Sequence, residues 1–507
     1  MTLFALSVIA LVLLIWLAAW NVRRRPRRQL LLLLACYLFY SSWGIGFLVL
    51  LIASSLLNFA IGAALRRRRS SAYLWLGIAL NVLFLGFFKY LPPILEAGTW
   101  WPDLARAIVM PIGLSFWTFQ ALSYLVDVYL EEEVDPSLVE FCLYMAFWPT
   151  VVAGPVCRLP HMLPQLRQEP VLSSSNLSVG IARVVKGFFM KMFLAQMMAA
   201  GLAPGAGVTA GFDQLVGGWG AIDVWLLGLG YGFLLFFDFA GYSHMVIGTA
   251  RIFGIRLPEN FDRPFLSTTP SIFWTRWHMS LSFWIRDYVY KPLAMTRRDI
   301  WWLYVSLIVS MTVFGLWHGP RWTYVAFGLY HGIVLVVHRV SQRAMPQMPR
   351  RTPPVVSTGL AWATTLLLVS VGYILFRAND LTQAATMLKS VVSPAAYGRF
   401  AMPLSFYALI VGVAVGYFAF VAASDLLTLV RQRYGQGVPD RTPLGAQLLR
   451  APMTRPTMLV AGTVDFLETT LWWWLGPALC VVGGWVALVI LTQRAAVSVS
   501  PFIYTLF

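Results

Sequence analysis

The chain has 507 residues, of which 59% are hydrophobic and only 12% charged. A soluble domain carries about 25% charged residues, so a soluble enzyme is excluded and a polytopic membrane protein remains. Lys and Arg number 38 against 21 Asp and Glu, a net charge of +17; in a membrane chain such an excess marks loops kept in the cytoplasm, not a nucleic-acid partner.

The first apolar run, Leu3 to Trp20, precedes the basic run Arg23-Arg24-Arg25-Pro26-Arg27-Arg28. A secretory signal has its charge before its apolar core. The run therefore reads as a retained span with the N-terminus outside and the arginines in the cytoplasm. Two more apolar segments, about 29–43 and 46–65, lead to a second basic run, Arg66 to Arg69, which falls on the same side.

Further apolar segments lie near 72–90, 108–129, 138–153, 179–200, 221–250, 300–317, 322–338, 357–376, 403–424 and 471–492. At about 20 residues per crossing, these predict roughly 10 to 12 spanning helices. Several are short or broken, as in Trp148-Pro149-Thr150-Val151-Val152-Ala153-Gly154-Pro155. Irregular backbone at membrane depth must be buried in protein or line a cavity, so a funnel or tunnel is expected. Gly217-Gly218-Trp219-Gly220 follows no strand and reads as a turn, not a phosphate loop. The four cysteines, Cys36, Cys142, Cys157 and Cys480, are scattered, with no disulfide framework.

The stretch Pro264 to Lys291 is amphipathic. Trp274, Trp277, His278, Leu281, Trp284 and Ile285 form a helical stripe among Arg276, Ser280, Ser282, Arg286 and Asp287. Thr268, Thr269 or Ser271 is expected to cap its start, with Pro270 in the first turn. The helix is expected to lie at the interface or obliquely inside the protein, with His278 against the core. Residues 425–470 are more polar and read as a cytoplasmic loop with short helices; the basic loop Arg339 to Arg351 fits the cytoplasmic side as well.

Two of the six histidines, His278 and His318, sit in aromatic, apolar surroundings. An ionisable group at membrane depth is costly and marks a functional site by default. His318 ends an apolar helix that Gly319-Pro320 stops. There a neutral imidazole can act as general base for a hydroxyl or thiol; the alternative is a histidine bonded to a carbonyl at a helix end. His278 carries the same two readings. His331 and His338 are seven apart, whereas helical metal pairs use three or four, so they read as hydrogen-bonded helix histidines and no metal site is expected. Asp238-Phe239-Ala240-Gly241-Tyr242-Ser243-His244 places polar groups inside an apolar run, suited either to a cavity wall or to helix–helix hydrogen bonds. The final Pro501-Phe502-Ile503-Tyr504-Thr505-Leu506-Phe507 is apolar, so it reads as an inserted tail or an interface anchor.

With these residues the chain resembles the membrane-bound O-acyltransferases, in the bacterial branch of alginate O-acetyltransferases and teichoic acid D-alanyl transferases. The matching pieces are Phe88-Lys89-Tyr90, Pro111 to Gln120, Val152-Ala153-Gly154-Pro155, Asp238 to Ser243, Pro258-Glu259-Asn260-Phe261, Arg276-Trp277-His278, Asp287-Tyr288, Trp317-His318-Gly319 and Phe376-Arg377-Ala378. Residues 111–120 and 152–155 look more like the alginate type; Met279 to Trp284 and Tyr324 to Gly328 look more like the D-alanyl transferases. Lys291 to Arg298 stands where alginate-type members carry a glycine-rich loop, which leaves the substrate open.

The resemblance implies a single all-α integral membrane domain over 1–507, a ring of helices around a core thinned from both sides. It implies His318 as the essential histidine and His278 as the second. The substrate tunnel is expected to involve Trp277, Trp317, Arg276, Asp287, Tyr242 and Ser243. No bound cofactor is expected. The donor is a cytoplasmic thioester, acetyl-CoA or an acyl or D-alanyl carrier protein. The acceptor is a hydroxyl of a cell-surface polysaccharide outside the bacterial inner membrane, and acetyl is the expected group. Tyr504 resembles a tyrosine proposed to carry the acyl group in the teichoic acid system. Expected partners are the donor, the polysaccharide, membrane lipids and a periplasmic acyltransferase. The readings from other classes are a transporter or flippase, against which no inverted repeat is visible, and a scaffold of a polymer-export complex.

Overall fold

The structure is a computed structural model that describes residues 13–16, 18–19, 22, 24–98, 101–130, 134–169, 173–213, 218–344 and 354–434. Every regular element among them is helical. Among the described residues, seven helices are long and apolar enough to cross a membrane: Ile45–Arg67, Ser71–Lys89, Ala221–Ile252, Ile300–His318, Trp322–Ala344, Val355–Arg377 and Leu404–Leu426. The chain is thus a multi-pass, all-α membrane protein.

Leu3 to Trp20 and 471–492 were expected to add spans, but most of the first and all of the second lie outside the described residues. Other expected spans are shorter pieces. Leu114–Tyr129 has 16 residues and Leu138–Met145 has 8. Sixteen residues at 1.5 Å each reach about 24 Å, short of a hydrocarbon core of about 30 Å. Almost all side chains of Leu114–Tyr129 are buried, so this helix is packed inside protein and not against lipid. Such short helices fill the interior between the long ones.

Ala221–Ile252 is the central element. Its apolar stretch is 78% buried, against 11% to 44% for the other six. Small residues let its neighbours approach. A methyl on Gly187 would collide with the Gly241 carbonyl, and one on Gly248 with the Gly180 carbonyl. Helix Ser174–Phe189 therefore lies against Ala221–Ile252 along two glycine pairs, spaced seven residues apart on each helix. This is the small-residue packing that membranes favour, where no hydrophobic effect drives helices together. The hairpin Ile300–His318 with Trp322–Ala344 uses the same device: a methyl on Gly328 would meet the Met311 carbonyl, and one on Gly315 the Tyr324 carbonyl.

The amphipathic stretch is two short helices instead of one. Thr269 caps Pro270–Arg276, its side chain accepting from the Ile272 N–H at 3.1 Å. The helix ends at Trp277, and His278 takes a left-handed conformation (φ 41°) before Met279–Ile285 begins. A non-glycine residue there costs roughly 1–2 kcal/mol. Neighbouring bonds hold it: the Met279 N–H donates to the Asn260 carbonyl and the Ser282 N–H to the His278 carbonyl, both at 2.9 Å.

Candidate active site

A hydrogen-bonded chain fixes the turn that carries His278. The Val156 N–H donates to Ser280 Oγ at 2.9 Å, Ser280 Oγ donates to Asn260 Oδ1 at 2.6 Å, and Asn260 Nδ2 donates to Ser243 Oγ at 3.1 Å. Three distant segments, 152–156, 258–261 and the central helix, thereby converge on one turn. His278 is buried, its ring 4.6 Å from Phe239 and 6.2 Å from Trp317.

His318 arrives from the other side, as the last residue of Ile300–His318. Its ring packs 4.8 Å from both Trp317 and Phe376 and 5.4 Å from Phe314. The end of this helix leaves carbonyls without intrahelical partners. Lys89 donates its ammonium to the Trp317 carbonyl and, at 3.3 Å, to Ser115 Oγ. Tyr90 donates its hydroxyl to the Leu316 carbonyl at 2.7 Å. One helix end thus clamps another.

Both histidines face one cavity of about 30 Å³, lined also by Leu235, Asp238, Phe239, Trp277, Phe314, Phe327, Tyr373 and Phe376. That is room for about two water molecules. Among the described residues, neither ring nitrogen of His278 has a hydrogen-bond partner, nor has His318 Nδ1 or the Tyr373 hydroxyl. Buried polar groups are normally paired, so several unpaired ones around one space mark it as a candidate site. Asp238 is different: Lys191 donates to its Oδ1 at 2.5 Å, which neutralises it. Lys191 sits in a wide π-helical turn, Met190–Ala195.

The other expected tunnel residues scatter. Trp277 lines the cavity, and Trp317 lies beside both histidines. Ser243 belongs to the chain under the His278 turn, and Tyr242 is half-buried outside the lining. Arg276 is half-buried, its carbonyl accepting from the Asp262 N–H at 3.0 Å. Asp287 lies in a second π-helical turn, Arg286–Tyr290, paired with Arg158 (2.9 Å), Arg286 (2.9 Å) and Lys291 (2.8 Å). Burial alone would raise its carboxyl, but hydrogen bonds from Arg286, Lys291 and Arg158 outweigh this and hold it well below the usual range. His331 is buried 5.0 Å from the Trp274 ring, and His338 Nδ1 is 3.3 Å from Ser271 Oγ. These two brace helix Pro270–Arg276. Tyr504 lies outside the described residues.

Lys89, Lys191 and Tyr373 had not been singled out from the sequence as site residues. Lys89 had a visible signal, a lysine at the end of an apolar helix inside Phe88-Lys89-Tyr90; Tyr373 had none within its apolar run.

Residues 12–376 match the membrane-bound O-acyltransferase family. The chain belongs to that family. This membrane-bound O-acyltransferase is 33% identical over 447 residues to a Pseudomonas aeruginosa protein named "Probable alginate O-acetylase AlgI", covering 85% of this chain and 82% of the relative. It is 31% identical over 398 residues to the peptidoglycan O-acetyltransferase of Helicobacter pylori, covering 72% and 73%. It is 35% identical over 238 residues to the teichoic acid D-alanyltransferase of Streptococcus thermophilus, covering 45% of this chain and 56% of the relative. Membership makes the protein an O-acyltransferase, not a flippase or a bare scaffold, and makes its acyl donor a substrate. Residues 457–507 match a second family, one of unknown function.

Proposed function

We propose that this acyltransferase moves an acetyl group from a cytoplasmic thioester to hydroxyls of a polysaccharide outside the bacterial inner membrane, with His318 as general base and His278 orienting the reactants. The observation that carries the choice of acetyl is the cavity between the two histidines. It is narrow, its walls are mostly aromatic, and its one carboxylate among the described lining residues, Asp238, is already neutralised by Lys191. A neutral two-carbon acyl group suits such walls. A D-alanyl group carries an ammonium, which would need an uncommitted carboxylate to offset its desolvation.

The relatives support the same choice. Two of the three named above are an O-acetylase of alginate and an O-acetyltransferase of peptidoglycan. For orientation, the ends of Ser71–Lys89 and Ile300–His318 meet through Lys89 and Trp317. Their starts, beside Arg66–Arg69 and Arg297–Arg298, then share the opposite face. Basic loops on one face favour that face as cytoplasmic and the N-terminus as outside. They also attract an anionic donor such as acetyl-CoA.

In the reaction, the acceptor hydroxyl oxygen bonds to the thioester carbonyl carbon while His318 takes its proton. The C–S bond then breaks, and the leaving thiolate takes that proton back. Trp277 and Trp317 wall the path to the histidines. Tyr504 is the candidate first acceptor, an acyl-tyrosine relay from which a periplasmic acyltransferase completes the transfer. A phenol of pKa about 10 needs a base to react near neutral pH, and His318 supplies it.

The test uses the purified full chain in lipid nanodiscs with radiolabelled acetyl-CoA, compared with His318→Ala and Tyr504→Phe. Acetyl transfer to the chain or to added polysaccharide, lost in His318→Ala, is expected. Wild-type transfer by His318→Ala removes the base assignment. Transfer only from a D-alanyl carrier protein replaces acetyl with D-alanyl. Full activity of Tyr504→Phe reduces the tail to an anchor.

A further inference from the structure

We propose that Tyr373 is a further catalytic residue, whose phenolic O–H donates to the acyl carbonyl oxygen as it becomes an oxyanion. The inference rests on the proposed reaction site between His278 and His318.

Tyr373 and Phe376 are three residues apart on helix Pro354–Arg377 and so share one face. Both line the cavity, and Phe376 lies 4.8 Å from the His318 ring. The Tyr373 ring is held in place, 5.4 Å from Trp277 and 6.4 Å from Tyr231, and lies where any side chain on Gly232 would stand. The residue is only 4% exposed, and its hydroxyl has no hydrogen-bond partner among the described residues. An unpaired buried hydroxyl is costly, because it has given up its water without replacing it. Packing alone would be served as well by phenylalanine, so the hydroxyl needs a reason to be there.

The chemistry supplies one. When the acceptor oxygen bonds to the carbonyl carbon, the carbonyl oxygen gains a full negative charge. It needs donors that are already oriented and shielded from water. Among the polar groups lining the cavity, Asp238 accepts only, and His318 is engaged as base. The donors on side chains lining the cavity are the N–H of neutral His278, the indole N–H of Trp277 and the O–H of Tyr373. When the C=O bond re-forms, the C–S bond breaks, and His318 returns its proton to the leaving thiolate. Tyr373 keeps its own proton throughout.

Removal of one such donor costs about 10²–10³ in rate. The test deletes the transferase in its own bacterium and restores wild type, Tyr373→Phe or His318→Ala. It reads the initial rate at which alkali-labile acyl ester appears on surface polysaccharide, per unit of membrane-inserted enzyme, together with the thermal midpoint of each purified variant. Tyr373→Phe is expected to lose at least tenfold in rate with an unchanged or higher midpoint, because no hydrogen bond among the described residues is lost. Wild-type rate in Tyr373→Phe beside a silent His318→Ala overturns the role of Tyr373 and leaves the site standing. Rate and midpoint falling together in Tyr373→Phe make the hydroxyl structural and overturn it too. Wild-type rates in both variants, or no ester from wild type, overturn the site itself.

Discussion

Lys89 donates its ammonium to the backbone carbonyl of Trp317, the residue just before His318. The two are 228 positions apart, yet the contact ties down the end of the histidine helix. Lys89 Nζ also lies 5.2 Å from the centre of the Trp317 ring, so the same cation holds both the backbone and the side chain of that residue.

This contact predicts a positioning effect. Lys89→Met keeps a long apolar stem and removes the donor. A hydrogen bond to a charged group is worth about 1.5–3 kcal/mol. Reactants misplaced by 1 Å lose about a hundredfold in rate. Acyl transfer should therefore fall by about ten- to a hundredfold in Lys89→Met, with most of the enzyme still inserted and folded. Lys89→Arg should recover part of the rate. Initial rates normalised to membrane-inserted protein check this.

The Lys191–Asp238 pair predicts a coupled stability effect. Asp238 is 3% exposed and Lys191 19%, so removal of either leaves a largely buried charge without its partner. Such breakage costs about 3–5 kcal/mol, less here for the part of Lys191 that is exposed. Lys191→Met and Asp238→Asn should each lower the thermal midpoint in detergent. The double variant should be more stable than the sum of the two losses implies, and a double-mutant cycle measures that coupling.

Asp287 predicts an acid-dependent contribution. Its folded carboxyl titrates below the unfolded value of about 3.9. Its stabilisation is then fully present above that value and is lost as pH falls through it toward the folded one. At pH 7, Asp287→Asn should lower the thermal midpoint, because Arg158, Arg286 and Lys291 lose their shared partner. The gap between wild type and variant should close as pH drops below about 4. Melting curves from pH 7 to 3 check the sign; a gap that widens in acid contradicts it.

Much of the outline was legible in the sequence. Apolar segment length placed the chain in a membrane. The rarity of histidines at membrane depth picked out His278 and His318, which the fold brings to one cavity. The cap by Thr269 also followed from local pattern. The break at His278 did not. The apolar stripe runs straight through it, and Trp277-His278 contains neither glycine nor proline. The left-handed turn is held from elsewhere in the fold: Asn260 accepts from the Met279 N–H and from Ser280 Oγ, and the Val156 N–H donates to Ser280 Oγ.

What the sequence by itself determined, then, is the membrane class, the family and the two costly histidines, because each depends on composition or on residues close together in the chain. What only the tertiary structure decided is which polar groups are paired. Lys191 is spent on Asp238 and Lys89 on a helix end, while the Tyr373 hydroxyl stands unpaired in the cavity among the described residues. In an apolar helix every face looks alike in sequence. Only the packing of helices, set here by glycine pairs and short central elements, says which face a lone polar group meets.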